Sequence, residues 1–157
     1  MLKYLNTQVT FAEVPDEITL CINITGCKNG CKNCHSSYLA QDIGTKLTFN
    51  EVRKLIKKNS GISCIAIMGG DAEPDKVNIL ASFITKHYNS IKVAWYSGRQ
   101  ELSKEIDLKN FDYIKLGPYI EELGPLNSRT TNQRFYKVNG KELIDITNKF
   151  WKHETKN

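Results

Sequence analysis

The sequence predicts an α/β protein, a parallel sheet with helices packed on it, entered through an N-terminal hairpin strand. Three observations carry this. Apolar strand-like runs alternate with stretches of helical period. Three of the runs stop at Gly69-Gly70-Asp71, Ser97-Gly98 and Gly117-Pro118, residues of tight turns. The first two apolar runs are separated by Pro15 and Asp16, which marks a hairpin. The 157 residues, 40% hydrophobic and 25% charged, suit one domain spanning 1–157 with a real core and argue against disorder. No apolar run approaches the roughly 18–20 residues that cross a bilayer, so no membrane partner is expected. The opening stretch MLKYLNTQVTFAEVPDE lacks a signal peptide's apolar run, which makes a cytoplasmic address the expectation. The net charge of +5 is modest for a nucleic-acid binder, and aromatics are not interleaved with the basic residues.

The elements follow in order. QVTFAEV is the first strand, and ITLCINIT, after the turn, is a central one. A cysteine-rich loop comes next. Thr48 with Glu51 forms a capping box, and Leu47 with Val52 a hydrophobic staple. Val52, Leu55 and Ile56 carry the helical period to about Asn59. GISCIAIM is a strand that ends in Gly69, Gly70 and Asp71, and Pro74 or Asp75 opens a second helix. Its apolar face is Val77, Leu80, Ala81, Ile84 and Tyr88. IKVAWY stops at Ser97 and Gly98, FDYIKL stops at Gly117 and Pro118, and RFYKV is the fifth run. Leu143, Ile146, Thr147 and Phe150 predict a last helix, with Trp151 on its apolar face. Trp95 reads as core, and His87 and His153 as surface residues at helix ends. Five strands are too few to close an eight-stranded barrel, so a partial (β/α) barrel or an open flavodoxin-like sheet is expected. Either way the ligand site lies beyond the carboxyl ends of the strands. The cysteine loop, Gly69-Gly70-Asp71 and Ser97-Gly98 then converge on one rim.

Five cysteines are present, three of them within CKNGCKNC: Cys27, Cys31 and Cys34. A reducing compartment and a chain of this length argue against disulfides and for metal ligation. Cys21 and Cys64 lie in apolar strands and read as buried structural thiols. Thiolates suit zinc or iron–sulfur clusters. Structural zinc wants four ligands, usually as two pairs, and no second cysteine pair follows. His35 sits directly beside Cys34, too close to chelate comfortably with it. A 4Fe–4S cluster can be held by three thiolates, which leaves one iron open for chemistry.

The C-x3-C-x2-C spacing of CKNGCKNC resembles that of the radical S-adenosylmethionine (SAM) superfamily. MGGDAEP looks like its Gly-Gly-Glu stretch, in the Gly-Gly-Asp form of the activating proteins of anaerobic ribonucleoside-triphosphate reductase, and WYSGR looks like their Tyr-Thr-Gly segment. DYIKLGPYIEELGPLNSRTTNQRFYKVNG is similar to the C-terminal part of a bacterial subgroup of those activases. Together these stretches cover most of the chain. The resemblance implies that Cys27, Cys31 and Cys34 hold three irons and that SAM chelates the fourth. Reductive cleavage would then give methionine and a 5′-deoxyadenosyl radical, which takes hydrogen from a glycine Cα near the partner reductase's C-terminus. A flavodoxin- or ferredoxin-type reductant is implied, an oxygen-sensitive cluster is expected, and a homodimer is left open.

Within that resemblance further roles are expected. Gly69 and Gly70 let the backbone approach the methionine part of SAM, and Asp71 adds a charge-assisted contact. Ser97 would bond the carboxylate or ribose, and Lys115 would pair with the carboxylate. Asn33 stands where many members carry an aromatic, so adenine stacking is not expected there; the backbone around Asn33 and His35 can still bond the adenine. Each has a plainer reading as well: Gly69-Gly70-Asp71 and Ser97 as turns, Lys115 as a solvated strand-end lysine, His35 as a loop residue. Residues 28–58 hold seven Lys or Arg against Asp42 and Glu51, read as a solvated face that could also dock an acidic partner surface. The rival functions are activation of another glycyl radical enzyme, another small radical SAM reaction such as modified-base synthesis, and a non-enzymatic zinc or iron–sulfur module.

Overall fold

The computed structural model describes residues 1–30 and 37–151. Strand β1 (Lys3–Thr10) pairs antiparallel with β2 (Thr19–Ile24), and the short β3 (Thr45–Lys46) adds to the outer edge of β1. Then come α1 (Phe49–Lys58), β4 (Cys64–Met68), α2 (Pro74–His87), β5 (Lys92–Tyr96) and β6 (Tyr113–Leu116). The chain ends in β7 (Arg134–Asn139), β8 (Glu142–Asp145) and a 3-10 turn over Thr147–Phe150. All eight strands form one mixed, open sheet in the order β3-β1-β2-β4-β5-β6-β7-β8. Its centre, β2-β4-β5-β6, is parallel, and both flanks are antiparallel. No helix among the described residues is long and apolar enough to cross a membrane.

The parallel strands add always in one direction, so right-handed crossovers put both helices on the same face. There Val52 and Leu55 of α1 and Val77, Leu80, Ala81 and Ile84 of α2 pack on Leu20, Ile22, Ile65, Ile67, Val93, Trp95 and Ile114. Each fully buried Leu or Ile contributes about 1.5–3 kcal/mol. The opposite face is lined by Cys21, Cys64, Ala66, Ala94, Tyr113 and Phe135. Loops cover it, through Val14, Leu126, Ile146 and Phe150. A two-sided helical cover of the flavodoxin kind is therefore absent among the described residues. At the amino ends of the strands, buried Glu17 accepts from Ser63 Oγ at 2.5 Å and from Lys92 Nζ at 2.7 Å, which ties β2, β4 and β5 together.

The expected start of α1 is present: Thr48 Oγ1 accepts from the Glu51 amide at 3.1 Å, and Leu47 and Val52 are both buried. The reciprocal half of the box is replaced, because Glu51 Oε1 accepts from Tyr4 OH at 2.5 Å. Pro74 opens α2.

Four expectations are corrected. The first strand lies earlier than QVTFAEV; it pairs along β2 from Tyr4 to Thr10, while Val14 in the connection that follows is buried on the loop-covered face. The sheet is parallel only at its centre. RFYKV returns antiparallel to β6 because no helix intervenes between the two strands to carry the chain back. The last helix is absent: residues 142–145 form β8 in a hairpin with β7 across Gly140-Lys141. Gly140 at φ +63° supplies the first central position of such a two-residue turn. The apolar stripe read as helical is split, with Leu143 packing on the helix-face core and Ile146 and Phe150 on the other. Trp151 consequently lies on no helix's apolar face but directly after the 3-10 turn, and the Arg129 guanidinium lies 5.6 Å from its ring centre.

Candidate functional site

Alternation along the parallel strands sends every second residue to the loop-covered face. Register then builds a row across the sheet near its carboxyl ends, from Asn23 of β2 to Met68 of β4, Tyr96 of β5 and Lys115 of β6. Just beyond this row the chain turns at each strand end. Together row and turns line a cleft of about 270 Å³, walled further by Leu39, Tyr119 and Gln133. A larger hollow of about 530 Å³ lies on the helix face between Met1, Leu47, Phe49 and Ile79. It is mostly apolar, with Thr48 and Lys76 as its polar members. The smaller cleft is the better candidate because thiol, carboxylate, hydroxyl and ammonium groups converge there.

Of the residues expected at the site, Cys27, Gly69, Asp71, Ser97 and Lys115 all line this cleft. Gly70 turns the other way: a Cβ there would stand 2.6 Å from Val77 Cγ2 of α2. Cys31, Asn33, Cys34 and His35 lie outside the described residues. Among the described residues no three His, Cys, Asp or Glu side chains converge, Cys27 being the one described member of its trio. Cys27 is half-buried, with a free thiol, and its amide donates to Leu39 O at 3.0 Å.

The polar groups are held firmly. Asp71 is buried and accepts from Asn29 Nδ2 at 2.6 Å, Ser97 Oγ at 2.5 Å and the Gly98 amide at 2.8 Å. Gly69 O accepts the Trp95 indole N–H at 2.7 Å, and the Gly69 amide donates to Tyr96 O at 3.0 Å. Lys115 is buried rather than solvated, at 7% exposure, and its Nζ donates to Gly117 O at 2.8 Å and Ser97 O at 3.2 Å. Tyr96 OH donates to Glu13 O in the β1–β2 connection, and burial pushes both the Tyr96 phenol and the Glu13 carboxyl up. Cys21 and Cys64 behave as expected of structural thiols. Both are buried on the loop-covered face, and burial pushes each up to about 12.

Asn23, Asn29, Tyr96, Tyr119 and Gln133 were not singled out from the sequence. Period-two alternation, extended from Lys115 across the register, finds Tyr96 and Asn23. Asn29 carries no signal beyond its place inside the cysteine loop. Comparison with protein-family models, with curated proteins and with solved structures finds no match to this chain.

Proposed function

We propose that this protein is a radical SAM activase that generates a glycyl radical on an anaerobic ribonucleoside-triphosphate reductase. One observation carries the reading: the first cysteine of the C-x3-C-x2-C trio opens onto the cleft where the turns after β4 and β5 meet. The donor set fits the group it calls for, since Cys27, Cys31 and Cys34 offer three soft thiolates at a spacing within one loop. Bound there, a 4Fe–4S cluster with SAM supplies one-electron reductive cleavage and hydrogen abstraction from a glycine Cα.

The chain's own residues supply orientation and exclusion of water. Gly69 O has a second lone pair left after the Trp95 bond, able to accept from an ammonium group. Lys115 brings a positive charge to the cleft side of β6, suited to a carboxylate. Ser97 directs its hydroxyl proton at Asp71, so it meets a ligand through an oxygen lone pair rather than as a donor. Leu39 and Met68 give the cleft an apolar wall that keeps water from a reactive species.

The test uses protein reconstituted anaerobically with iron and sulfide, reduced with dithionite and given SAM, with 5′-deoxyadenosine quantified by mass spectrometry and Cys34→Ala as the control. Product in the parent and none in the variant is expected, followed by a glycyl radical signal once the reductase is added. Product without that signal moves the assignment to another glycyl radical enzyme or another small radical SAM reaction. A reduced cluster that yields no product even with the reductase present overturns the reading. One zinc per chain without sulfide overturns it in favour of a binding module.

A further inference from the structure

Asp71 spends its carboxylate on bonds to other loops. It is 4% exposed, with Oδ2 accepting from Asn29 Nδ2 at 2.6 Å and the Gly98 amide at 2.8 Å, and Oδ1 accepting from Ser97 Oγ at 2.5 Å. Ser97 Oγ in turn accepts from the Arg99 amide at 3.1 Å, which leaves its proton for the carboxylate. One side chain therefore joins the turns that follow three adjacent strands, β2, β4 and β5. Position 98 has to be glycine for this, because a Cβ there would stand 2.6 Å from Asn29 Nδ2. On its other side the same short segment is held by main chain, Gly26 N donating to Gln41 O and Cys27 N to Leu39 O, both at 3.0 Å. Cys27 belongs to this main-chain anchorage, two residues before Asn29. Asn29 is exposed, so its bond to an ionised acceptor fixes it rather than burial.

We propose that Asp71 is a positioning residue that clamps the Asn29 end of the cysteine loop against the β4 and β5 turns, so that Cys27 faces the cleft in a preset orientation before any cluster is assembled. The importance of Cys27 as a ligand rests on the function proposed above; the clamp itself does not. Three donors converge on the carboxylate, and an amide in its place turns an NH2 group toward at least one of them. Outer partners that orient metal ligands typically change metal affinity about 10–100-fold.

The experiment compares the parent, Asn29→Ala, Asp71→Asn and the double variant, first metal-free by hydrogen–deuterium exchange, then reconstituted and challenged with an iron chelator. In both single variants the bonded amides of Gly26 and Cys27 exchange at least about tenfold faster, the loss of one hydrogen bond to a carboxylate. Residues 65–67 of β4 keep the parent's protection. Cluster loss to the chelator rises about 10–100-fold in each single variant. The double variant is no worse than Asp71→Asn alone, because the Asn29 link is already broken there. Parent-like exchange in Asn29→Ala overturns the clamp. So do effects that multiply in the double variant, as a separate ligand contact by Asp71 requires. Where Asp71→Asn does not fold, Asn29→Ala decides alone, since that position is exposed. A parent whose exchange shows the clamp but which assembles no cluster refutes the proposed function and leaves the clamp standing.

Discussion

Replacing Gly70 with alanine, beside the same change at Gly61, separates packing from backbone strain at the second turn of the site. The two glycines have nearly the same φ, +90° and +91°. A Cβ at Gly61 meets nothing within 4 Å, whereas at Gly70 it stands 2.6 Å from Val77 Cγ2 and 3.6 Å from Leu2 Cδ2. Val77 is fully buried among Ile24, Leu80 and Ala81 and has no room to retreat. The positive φ costs alanine about 1–2 kcal/mol at either site, offset by about 0.4–1 kcal/mol from the stiffer unfolded chain. Overpacking adds about 1–3 kcal/mol at Gly70 alone. With a urea slope of about 2 kcal/mol/M, the midpoint of Gly70→Ala falls about 0.5–1.5 M below that of Gly61→Ala. The assay is urea unfolding of the metal-free protein, followed by far-UV circular dichroism. Val77→Ala removes the opposing methyl, so in that background the two glycine variants converge. Equal midpoints in the parent background refute the reasoning, and would mean that Gly70 is not glycine for the sake of α2.

Three further outcomes are expected. In the native metal-free protein at mildly alkaline pH, a thiol reagent leaves Cys21 and Cys64 unmodified until denaturant is added, because burial holds both near 12; peptide mass mapping reads this, and early labelling of Cys64 contradicts it. Tyr4 is raised from 10.0 to about 12 by burial and then by Glu51, so its contribution is complete below pH 10 and fades as pH rises toward 12. The stability difference between the parent and Tyr4→Phe should shrink over that window, and a difference that grows contradicts the sign. Lys54, Lys57 and Lys58 are exposed on α1, away from the cleft. If the proposed reductase partner docks there through an acidic surface, reversing all three charges weakens that complex by about tenfold or more at low salt, and unchanged affinity dismisses that docking face.

The centre of the sheet was legible because its strands are apolar on both faces and each ends in a turn residue. Thr48 and Pro74 marked the helix starts for equally local reasons. The edges were not. β1 is half exposed, so KYLNTQVT lacks the apolar alternation that marks a strand with one buried face. In β8 and the turn after it, Leu143, Ile146 and Phe150 recur at helical spacing by coincidence, and the hairpin signal is Gly140 at the first position of the Gly140-Lys141 turn. At the site, the rule that ligands gather at the carboxyl ends of parallel strands brought Cys27, Gly69, Asp71, Ser97 and Lys115 to one cleft. It could not say which way each residue turns. Gly70 packs on α2, and Lys115 is buried against two carbonyls, because both are decided by neighbours distant in sequence.

Placing both helices on one face of the sheet has a chemical consequence. The other face is left to short side chains at mid-strand, Cys21, Ala66 and Ala94, and to longer ones at the carboxyl end, Met68, Tyr96 and Lys115. The small residues let the loop-borne Val14, Leu126 and Phe150 pack close to the sheet there, closing it from below. The longer ones stand above that seal, beside the three strand-end turns that line the same cleft. A ligand in the cleft therefore meets sheet side chains on one side and loop main chain on the other. The Asp71 clamp fixes the loop side, and hydrogen bonds from Trp95 and Lys115 fix the carbonyls of Gly69, Ser97 and Gly117. Hydrogen bonds thus hold both sides of the site before a ligand arrives, as the proposed hydrogen abstraction would require.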